Sequence, residues 1–337
     1  MRSRAVAVGG MVALAVGVAR VVGRMRRRRP AVEKVAQELR TPLLYLLPEA
    51  PSGRPPRRSP WLERLANRAI ARRGAHPQTF AAGDDAPGQP GVGGFVYRPA
   101  GRPAGAVLWI HGGGMITGFA AINHTAATRM ARELGLVVAT VDYRLAPEHP
   151  FPAALDDCMT ALRWLHDNAA RLGVDPARIA VGGESAGGGL AAMVAQRAHD
   201  EGLPVAFQVL VYPMLDDRTA LRDPGHRGEF VWTPSYNRQA WEWFLGHPVR
   251  EEESRPYAAA ARRGDLTGLP PAWIGVGELD LFHDEDVAYA RRLEEAGVPV
   301  ELVVVPGMAH AMDMLPAPSM RAFRDSWLRA LRAGLAD

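Results

Sequence analysis

Apolar residues fall in short runs from residue 94 onward, and segments of helical periodicity separate most of these runs. The runs show little polar alternation, which is typical of strands buried on both faces of a sheet. They are GFVYRP at 94–99, AVLWI at 106–110, LVVATVDY at 136–143, IAVGG at 179–183, AFQVLVY at 206–212, AWIGVG at 272–277 and VELVVV at 300–305. The helical patterns cover 121–134, 155–171, 186–200 and 284–296. This alternation predicts an α/β fold, with a mostly parallel central sheet and helices on both faces.

Two regions depart from the alternation of strands and helices. Residues 213–270 contain three tryptophans and no strand pattern, which predicts a helical excursion between two strands. Helical periodicity also covers 31–47 and 61–73, on either side of a proline-rich connector at 51–60. Residues 81–91 are rich in glycine, proline and aspartate and predict an exposed turn before the first apolar run.

Composition narrows the class of protein. The 337 residues are 47% apolar and 23% charged, which is ordinary for one large or two small folded domains. Cys158 is the only cysteine, so an intramolecular disulfide and a cysteine-based metal site are both excluded. The formal charge is +4, but eight arginines lie in the first 29 residues and the remainder carries a net negative charge. The sequence therefore predicts no nucleic-acid partner.

Residues 1–29 form a separate basic and apolar segment. Its apolar stretch, 5–19, is shorter than the roughly 20 residues of a spanning helix unless the helix continues to Gly23. If it inserts, the excess of arginines behind it favours a membrane anchor with the remainder of the chain on the cytoplasmic side. A cleaved signal peptide fits less well because the basic cluster directly follows the apolar stretch. The other alternative is translation that begins at Met11 or Met25, and both alternatives stay open.

Residues 183–187, Gly-Glu-Ser-Ala-Gly, have the form G-x-S-x-G. The motif lies between a strand pattern and a helical pattern, the context in which a sharp turn exposes a serine as a nucleophile. Such a turn also accounts for Gly183 and Gly187, because a side chain at either position would collide with the adjoining strand or helix. A phosphate-binding loop would need a lysine after the glycines, and this chain has none there. The motif therefore predicts Ser185 as a nucleophile.

Four residues that follow the strand at 106–110 form a second motif, His111-Gly112-Gly113-Gly114. Backbone N–H groups in such a loop can point at a developing oxyanion, and the absence of side chains allows a substrate to approach closely. A flexible loop without function is the alternative. The loop follows the strand expected for an oxyanion-binding loop and precedes the serine in the chain, which favours the functional interpretation.

An acid and a histidine follow the last two predicted strands. Asp280 comes after the strand at 272–277, and His310 comes after the strand at 300–305. The carboxyl ends of parallel strands share one edge of a sheet, so both side chains are expected near Ser185. Three neighbouring acids are rivals of Asp280 but fall in the first turn of the next helix, where the helix dipole favours them; they are Asp284, Glu285 and Asp286. The arrangement predicts nucleophilic catalysis by serine, histidine and aspartate.

Together, four motifs resemble those of the hormone-sensitive-lipase-like group of α/β-hydrolases. They are HGGG at 111–114, DYRLAPEHPFPAALDD at 142–157, GESAGGGLAA at 183–192 and GMAH at 307–310. The resemblance covers about residues 31–335. It implies an α/β-hydrolase domain over 30–337, with a helical cap built from about 31–75 and 213–270.

The resemblance also implies a role for each matching residue. Ser185 corresponds to the nucleophile, His310 to the general base and acid, and Asp280 to the residue that orients the histidine. The oxyanion-hole amides correspond to Gly112, Gly113 and Ala186, and the supporting motif positions are His111, Gly114, Gly183, Glu184 and Gly187. Three positions depart from the family's usual residues: Glu184 replaces aspartate or threonine, Leu281 replaces proline, and Ala311-Met312 replaces glycine-phenylalanine.

The function that the resemblance implies is that of a serine carboxylesterase. It would hydrolyse short- to medium-chain carboxylic esters through an acyl-enzyme intermediate, with a small-molecule ester as its partner and no metal ion or organic cofactor. An amide deacetylase or lactonase acting on a secondary metabolite would use the same three residues. A non-catalytic binding protein on this scaffold is less consistent with the presence of all three.

Overall fold

The computed structural model describes residues 23–45, 47, 69, 75–80 and 91–336. The apolar stretch at 5–19, the connector at 51–60 and nearly all of the helical pattern at 61–73 lie outside the described residues. The turn predicted at 81–91 lies outside them as well, apart from its last residue.

Eight strands form one sheet in the order β1-β2-β4-β3-β5-β6-β7-β8. Strand β2 is antiparallel to β1 and β4, and all the other neighbours are parallel. The strands are β1 His76–Phe80, β2 Val92–Tyr97, β3 Gly105–Ile110, β4 Leu136–Val141, β5 Ile179–Glu184, β6 Gln208–Val211, β7 Ala272–Gly277 and β8 Val300–Val305. The mostly parallel sheet predicted from the apolar runs is confirmed. Strand β1 was not predicted, because the polar run HPQTF at the sheet edge carries no apolar pattern.

Helices cover both faces of this sheet, as predicted. They are α1 at residues 23–34, α2 His124–Leu134, α3 Ala153–Asp167, α4 Ala169–Leu172, α5 Ala186–Asp200, α6 Pro234–Leu245, α7 His283–Glu295 and α8 Pro318–Gly334. Alternate residues of a strand point to opposite faces. Leu108 of β3 accordingly packs in the layer that holds α3, α5 and α7, whereas Trp109 packs with α2 and α8 and stacks on Trp327 at 4.9 Å between ring centroids.

The helix predicted over 31–47 is interrupted. Helix α1 ends at residue 34, and two 3-10 turns follow at Gln37–Leu39 and Pro42–Tyr45. Pro42 explains why no helix runs through residue 41, because proline lacks a backbone N–H and disfavours helical geometry at the residue before it; nothing local in the sequence accounts for the end of α1 at residue 34. Helix α1 also runs without a break across residues 29 and 30, where the predicted N-terminal segment ends and the predicted hydrolase domain begins. Within the described ranges, no helix combines the length and apolar character needed to cross a bilayer.

The excursion between β6 and β7 is less helical than predicted. Across 213–270 it contains the α-helix α6 and two 3-10 turns, Asp217–Leu221 and Ala260–Arg262, joined by irregular segments. Glu285 of α7 attaches the excursion to the core, because its Oε1 accepts hydrogen bonds from the backbone N–H groups of Leu215 at 2.7 Å and Asp216 at 3.2 Å.

Candidate active site

Ser185 lies on a sharp turn between β5, which ends at Glu184, and α5, which begins at Ala186. Its backbone has φ 56° and ψ −121°, a conformation that non-glycine residues adopt rarely and at a cost in free energy. The turn passes very close to β3: a Cβ at Gly187 would lie 2.1 Å from the carbonyl oxygen of Ile110, and one at Gly183 would lie 2.5 Å from the same oxygen. Glycine is therefore the residue that fits at these two positions.

The three residues predicted to react lie in one hydrogen-bonded series. His310 Nε2 is 2.9 Å from Ser185 Oγ, and His310 Nδ1 is 2.8 Å from Asp280 Oδ2. All three are at most 5% exposed. The second oxygen of Asp280 accepts a hydrogen bond from the backbone N–H of Phe282 at 3.0 Å, which fixes the carboxylate. The network requires that Nδ1 donates to Asp280 and that Nε2 accepts from the serine hydroxyl.

The glycine loop lies against the serine. A Cβ at Gly112 would lie 3.3 Å from Ser185 Cβ, and Gly113 has φ 114°, a backbone conformation that favours glycine. The N–H groups of Gly112, Gly113 and Ala186 donate to no acceptor among the described residues. Three free backbone donors next to a nucleophile can stabilise an oxyanion.

Aromatic rings hold this loop from both sides. The His111 ring stacks on Tyr143 with 4.1 Å between centroids, and the Tyr143 hydroxyl donates to the His111 carbonyl at 2.9 Å. Trp232, from the excursion, lies directly over Gly114, where a Cβ would come within 2.3 Å of the indole. The excursion therefore contacts the loop that borders the serine.

The wall around His310 is aromatic. The rings of Tyr212, Phe282 and Trp232 lie 4.8, 5.3 and 6.3 Å from the His310 ring, measured between centroids. Trp232 is oriented by a stack on Tyr236 and by a hydrogen bond from its Nε1 to Asn237 Oδ1 at 3.2 Å. An uncharged, partly apolar substrate fits such a wall better than a charged one.

The sequence did not predict that Tyr212, Asp313 and Glu184 interact with one another next to this hydrogen-bonded series. The Tyr212 hydroxyl donates to Asp313 Oδ1 at 2.8 Å, and Asp313 is 6% exposed. Burial and then the nearby Asp313 carboxyl raise the pKa of Glu184 to about 8. The only signals in the sequence are the position of Tyr212 directly after a strand and of Asp313 three residues after His310.

The rivals of Asp280 lie in the first turn of α7, where the sequence placed them, but two of them are buried rather than solvated. Burial raises the pKa of Glu285 and of Asp286 well above the usual range and so favours the protonated form of both carboxyls. Asp284 is exposed and pairs with Arg227 at 3.1 Å. Among the described residues, no three His, Cys, Asp or Glu side chains are grouped as metal ligands.

A serine on a strand-to-helix turn, bonded to a histidine and an aspartate from the next loops of a mostly parallel sheet, defines the class of α/β-hydrolases. A family model described as the alpha/beta hydrolase fold matches residues 107–314. The chain belongs to this family, and its motifs assign it to the hormone-sensitive-lipase-like group.

Individual relatives carry esterase names. Carboxylesterase NlhH of Mycobacterium tuberculosis is 41% identical over 210 residues, which are 60% of this chain and 65% of that protein. The ethyl acetate hydrolase of Pseudomonas putida is 37% identical over 223 residues, 64% of this chain and 69% of that protein. Among solved structures, a bacterial heroin esterase superposes with a TM-score of 0.80 at 37% identity, covering 90% of this chain and 99% of that one.

Proposed function

We propose that this chain is a serine carboxylesterase that hydrolyses short- to medium-chain carboxylic esters. The observation that carries the proposal is the hydrogen-bonded series from Asp280 through His310 to Ser185. The names of the relatives support the same activity, and the name of the Pseudomonas putida enzyme supports a short acyl chain.

The proposed reaction proceeds in two stages. Ser185 Oγ attacks the ester carbonyl carbon while His310 Nε2 takes the hydroxyl proton, and the N–H groups of the oxyanion hole stabilise the negative oxygen. Asp280 stabilises the resulting imidazolium. His310 then returns the proton to the leaving alcohol, and an acyl-enzyme remains on the serine. A water molecule, deprotonated by His310, attacks the acyl carbon; the bond to Ser185 Oγ then breaks, His310 returns the proton to Oγ, and the carboxylic acid is released.

Loss of the nucleophile tests this proposal. Ser185→Ala is expected to abolish turnover of p-nitrophenyl acetate and butyrate, because no other group in the site can form the acyl-enzyme. Ser254→Ala, at an exposed serine, serves as the matched control and should retain wild-type turnover. Substantial hydrolysis by a folded Ser185→Ala protein would contradict the proposal. Amide and lactone substrates matched to these esters would identify a deacetylase or a lactonase if they react faster.

We assign the cap to about 31–75 and 213–270, and the hydrolase domain to the remainder of 30–337. Two contacts of the described residues support this division. Trp232 covers the glycine loop at Gly114. Arg28 of α1 donates to the carbonyl of Leu44 at 3.1 Å and lies over the Phe230 ring at 5.6 Å, so the N-terminal elements and the excursion touch each other.

The basic and apolar segment at 1–29 is proposed to associate with a membrane, with the hydrolase domain on the cytoplasmic side. The arginines that follow the apolar stretch support this orientation. Membrane fractionation of the full chain, beside a chain that starts at Met25, tests the proposal. The full chain should sediment with membranes and the shorter chain should not. Identical partition of both into the soluble fraction would remove the anchor.

A further inference from the structure

Tyr212 contacts His310 and connects it to Asp313, a carboxyl to which the proposed mechanism assigns no role, and Glu184 lies close enough to both Tyr212 and Asp313 for its charge to affect them. Tyr212 follows β6 with φ 37°, and its ring meets the His310 ring edge to face at an interplanar angle of 64°. Its hydroxyl is fixed by the 2.8 Å hydrogen bond to Asp313 Oδ1. A tyrosine that both contacts the imidazole and bonds a buried carboxyl links that carboxyl to the histidine.

The groups around Asp313 and Glu184 determine which of these two carboxyls is ionised more readily. His310, Arg324 and the Tyr212 hydroxyl all favour the charged form of Asp313, although burial raises its pKa. Glu184 has burial against it, and the Asp313 carboxyl next to it also raises its pKa. Two carboxyls close together do not both ionise readily. The hydrogen bond from Tyr212 and the positive charges of Arg324 and His310 favour Asp313 as the carboxyl that carries the negative charge.

We propose that Asp313 is a second positioning carboxylate for His310, held in place by the hydrogen bond from Tyr212, whose ring contacts the imidazole. This inference rests on the proposed serine mechanism, in which His310 becomes positively charged as it takes the serine proton. A buried negative charge beside that cation stabilises it, because the low dielectric of the interior strengthens the attraction. Asp280 acts through a direct hydrogen bond, and Asp313 acts at longer range.

The remaining groups that face His310 do not replace this charge. Ser185 and Asp280 form its two hydrogen bonds, and Phe282 and Trp232 contribute uncharged rings. Burial, followed by the charges of Glu285 and Asp280, raises the pKa of Asp286 well above the usual range and so favours its neutral form. Asp280 and Asp313 are then the two negative charges that His310 meets.

The test compares two variants with two matched controls. Asp313→Asn removes the charge, and Tyr212→Phe removes only the hydroxyl and keeps the ring. A second tyrosine–aspartate pair serves as the control: the Tyr257 hydroxyl donates to Asp200 Oδ2 at 2.7 Å, at the end of α5. Asp200→Asn and Tyr257→Phe make the same chemical changes without facing His310.

Two readouts are measured for every protein. The first is the titration midpoint of the His310 imidazole by ¹⁵N NMR, with its signal assigned by its loss in His310→Gln. The second is the pH profile of kcat and kcat/KM on p-nitrophenyl butyrate.

Asp313→Asn should move the midpoint and the acidic limb of kcat/KM to lower pH by about 0.5 to 1 unit, because imidazolium loses a negative neighbour. Its kcat should fall about three- to tenfold with little change in KM. Tyr212→Phe should shift in the same direction by less, and the controls should not shift.

The outcomes separate the possible explanations. A folded Asp313→Asn protein with lower kcat but an unmoved midpoint and acidic limb would overturn the inference and leave a packing role. If Asp313→Asn does not fold, Tyr212→Phe decides, and an unmoved midpoint in that variant overturns the inference. If the wild type hydrolyses no ester but the midpoint still shifts, the carboxylesterase proposal fails while the electrostatic role of Asp313 is supported.

Discussion

At the residue scale, the neighbours of Ser185 are constrained in two different ways. The glycines at 183 and 187 are required by close backbone approach, and this steric requirement could be inferred from the motif and its position between a strand and a helix. Glu184 is constrained by charge instead. Its partner Asp313 is distant in sequence, and no local pattern indicates that the two carboxyls share a site.

Glu184 should make the stability of the folded chain depend on pH. Its pKa rises from the ordinary 4.5 to about 8 in the folded state, so the folded chain keeps a proton that the unfolded chain loses. This contribution is fully present below about pH 4.5 and is lost as the pH rises to about 8, with a slope of up to ~1.4 kcal/mol per pH unit. Glu184→Gln should remove the share of the slope that this carboxyl contributes, so the difference in free energy of unfolding between the variant and the wild type should change with pH in urea unfolding at pH 5, 6.5 and 8.

Glu133 provides the control for this experiment. Hydrogen bonds from Arg129, at 2.9 Å, and Arg132 lower the pKa of Glu133 below its usual range, so this carboxyl stays ionised from pH 5 to pH 8. Glu133→Gln should therefore change the free energy of unfolding by the same amount at all three pH values. A constant difference between Glu184→Gln and the wild type from pH 5 to pH 8 would contradict the assignment of the proton to Glu184.

At the element scale, continuous apolar runs made the strands predictable. Strands β7 and β8 and helix α5 have the bounds predicted, and β3 and β5 differ by one residue each, because a continuous apolar run leaves little choice of boundary. The 3-10 turns after α1 and the irregular parts of 213–270 were not predictable in the same way. Their conformation follows from contacts with distant segments, such as the hydrogen bond from the Ala36 N–H to the Gly307 carbonyl at 3.0 Å.

Glu285 should stabilise the junction between α7 and the excursion through the hydrogen bonds of a neutral carboxyl rather than through a negative charge. Its Oε1 accepts from the N–H groups of Leu215 and Asp216, and its other oxygen is hydrogen-bonded to Thr219. Because burial keeps the carboxyl protonated, glutamine can reproduce its hydrogen bonds. Glu285→Ala should lower the free energy of unfolding by about 2–4 kcal/mol, since it leaves buried donors unpaired. Glu285→Gln should lose less than about 1 kcal/mol, which thermal unfolding of both variants would measure.

If Glu285→Ala and Glu285→Gln lower the free energy of unfolding equally, the ionised carboxylate, and not the protonated carboxyl, stabilises the junction. The kinetic constants add a second criterion. Because the Glu285 side chain bonds residues of the excursion and none of Ser185, His310 and Asp280, the glutamine variant should keep the wild-type kcat on p-nitrophenyl butyrate.

At the scale of the whole molecule, the topology gathers the site from distant parts of the chain. Ser185, Asp280 and His310 follow β5, β7 and β8, and the glycine loop follows β3, so one edge of the sheet brings all four together. This part of the site could be predicted, because parallel strands align their carboxyl ends. The aromatic wall could not, because Trp232 reaches Gly114 from an irregular segment.

The N-terminal helix should influence substrate binding through the excursion. Arg28 is only 7% exposed; it bonds the Leu44 carbonyl and lies over Phe230, two residues before Trp232 in the site wall. Arg28→Ala should therefore lower the melting temperature, with a loss of about 1–2 kcal/mol, and raise KM for p-nitrophenyl butyrate while changing kcat little. Arg29→Ala is the matched control, because Arg29 is 73% exposed and only pairs with Glu33 on the same helix. Its removal should leave the melting temperature and KM essentially unchanged, because solvent screens an exposed ion pair. Equal effects of the two substitutions would show that α1 contributes general stability and does not position the wall of the site.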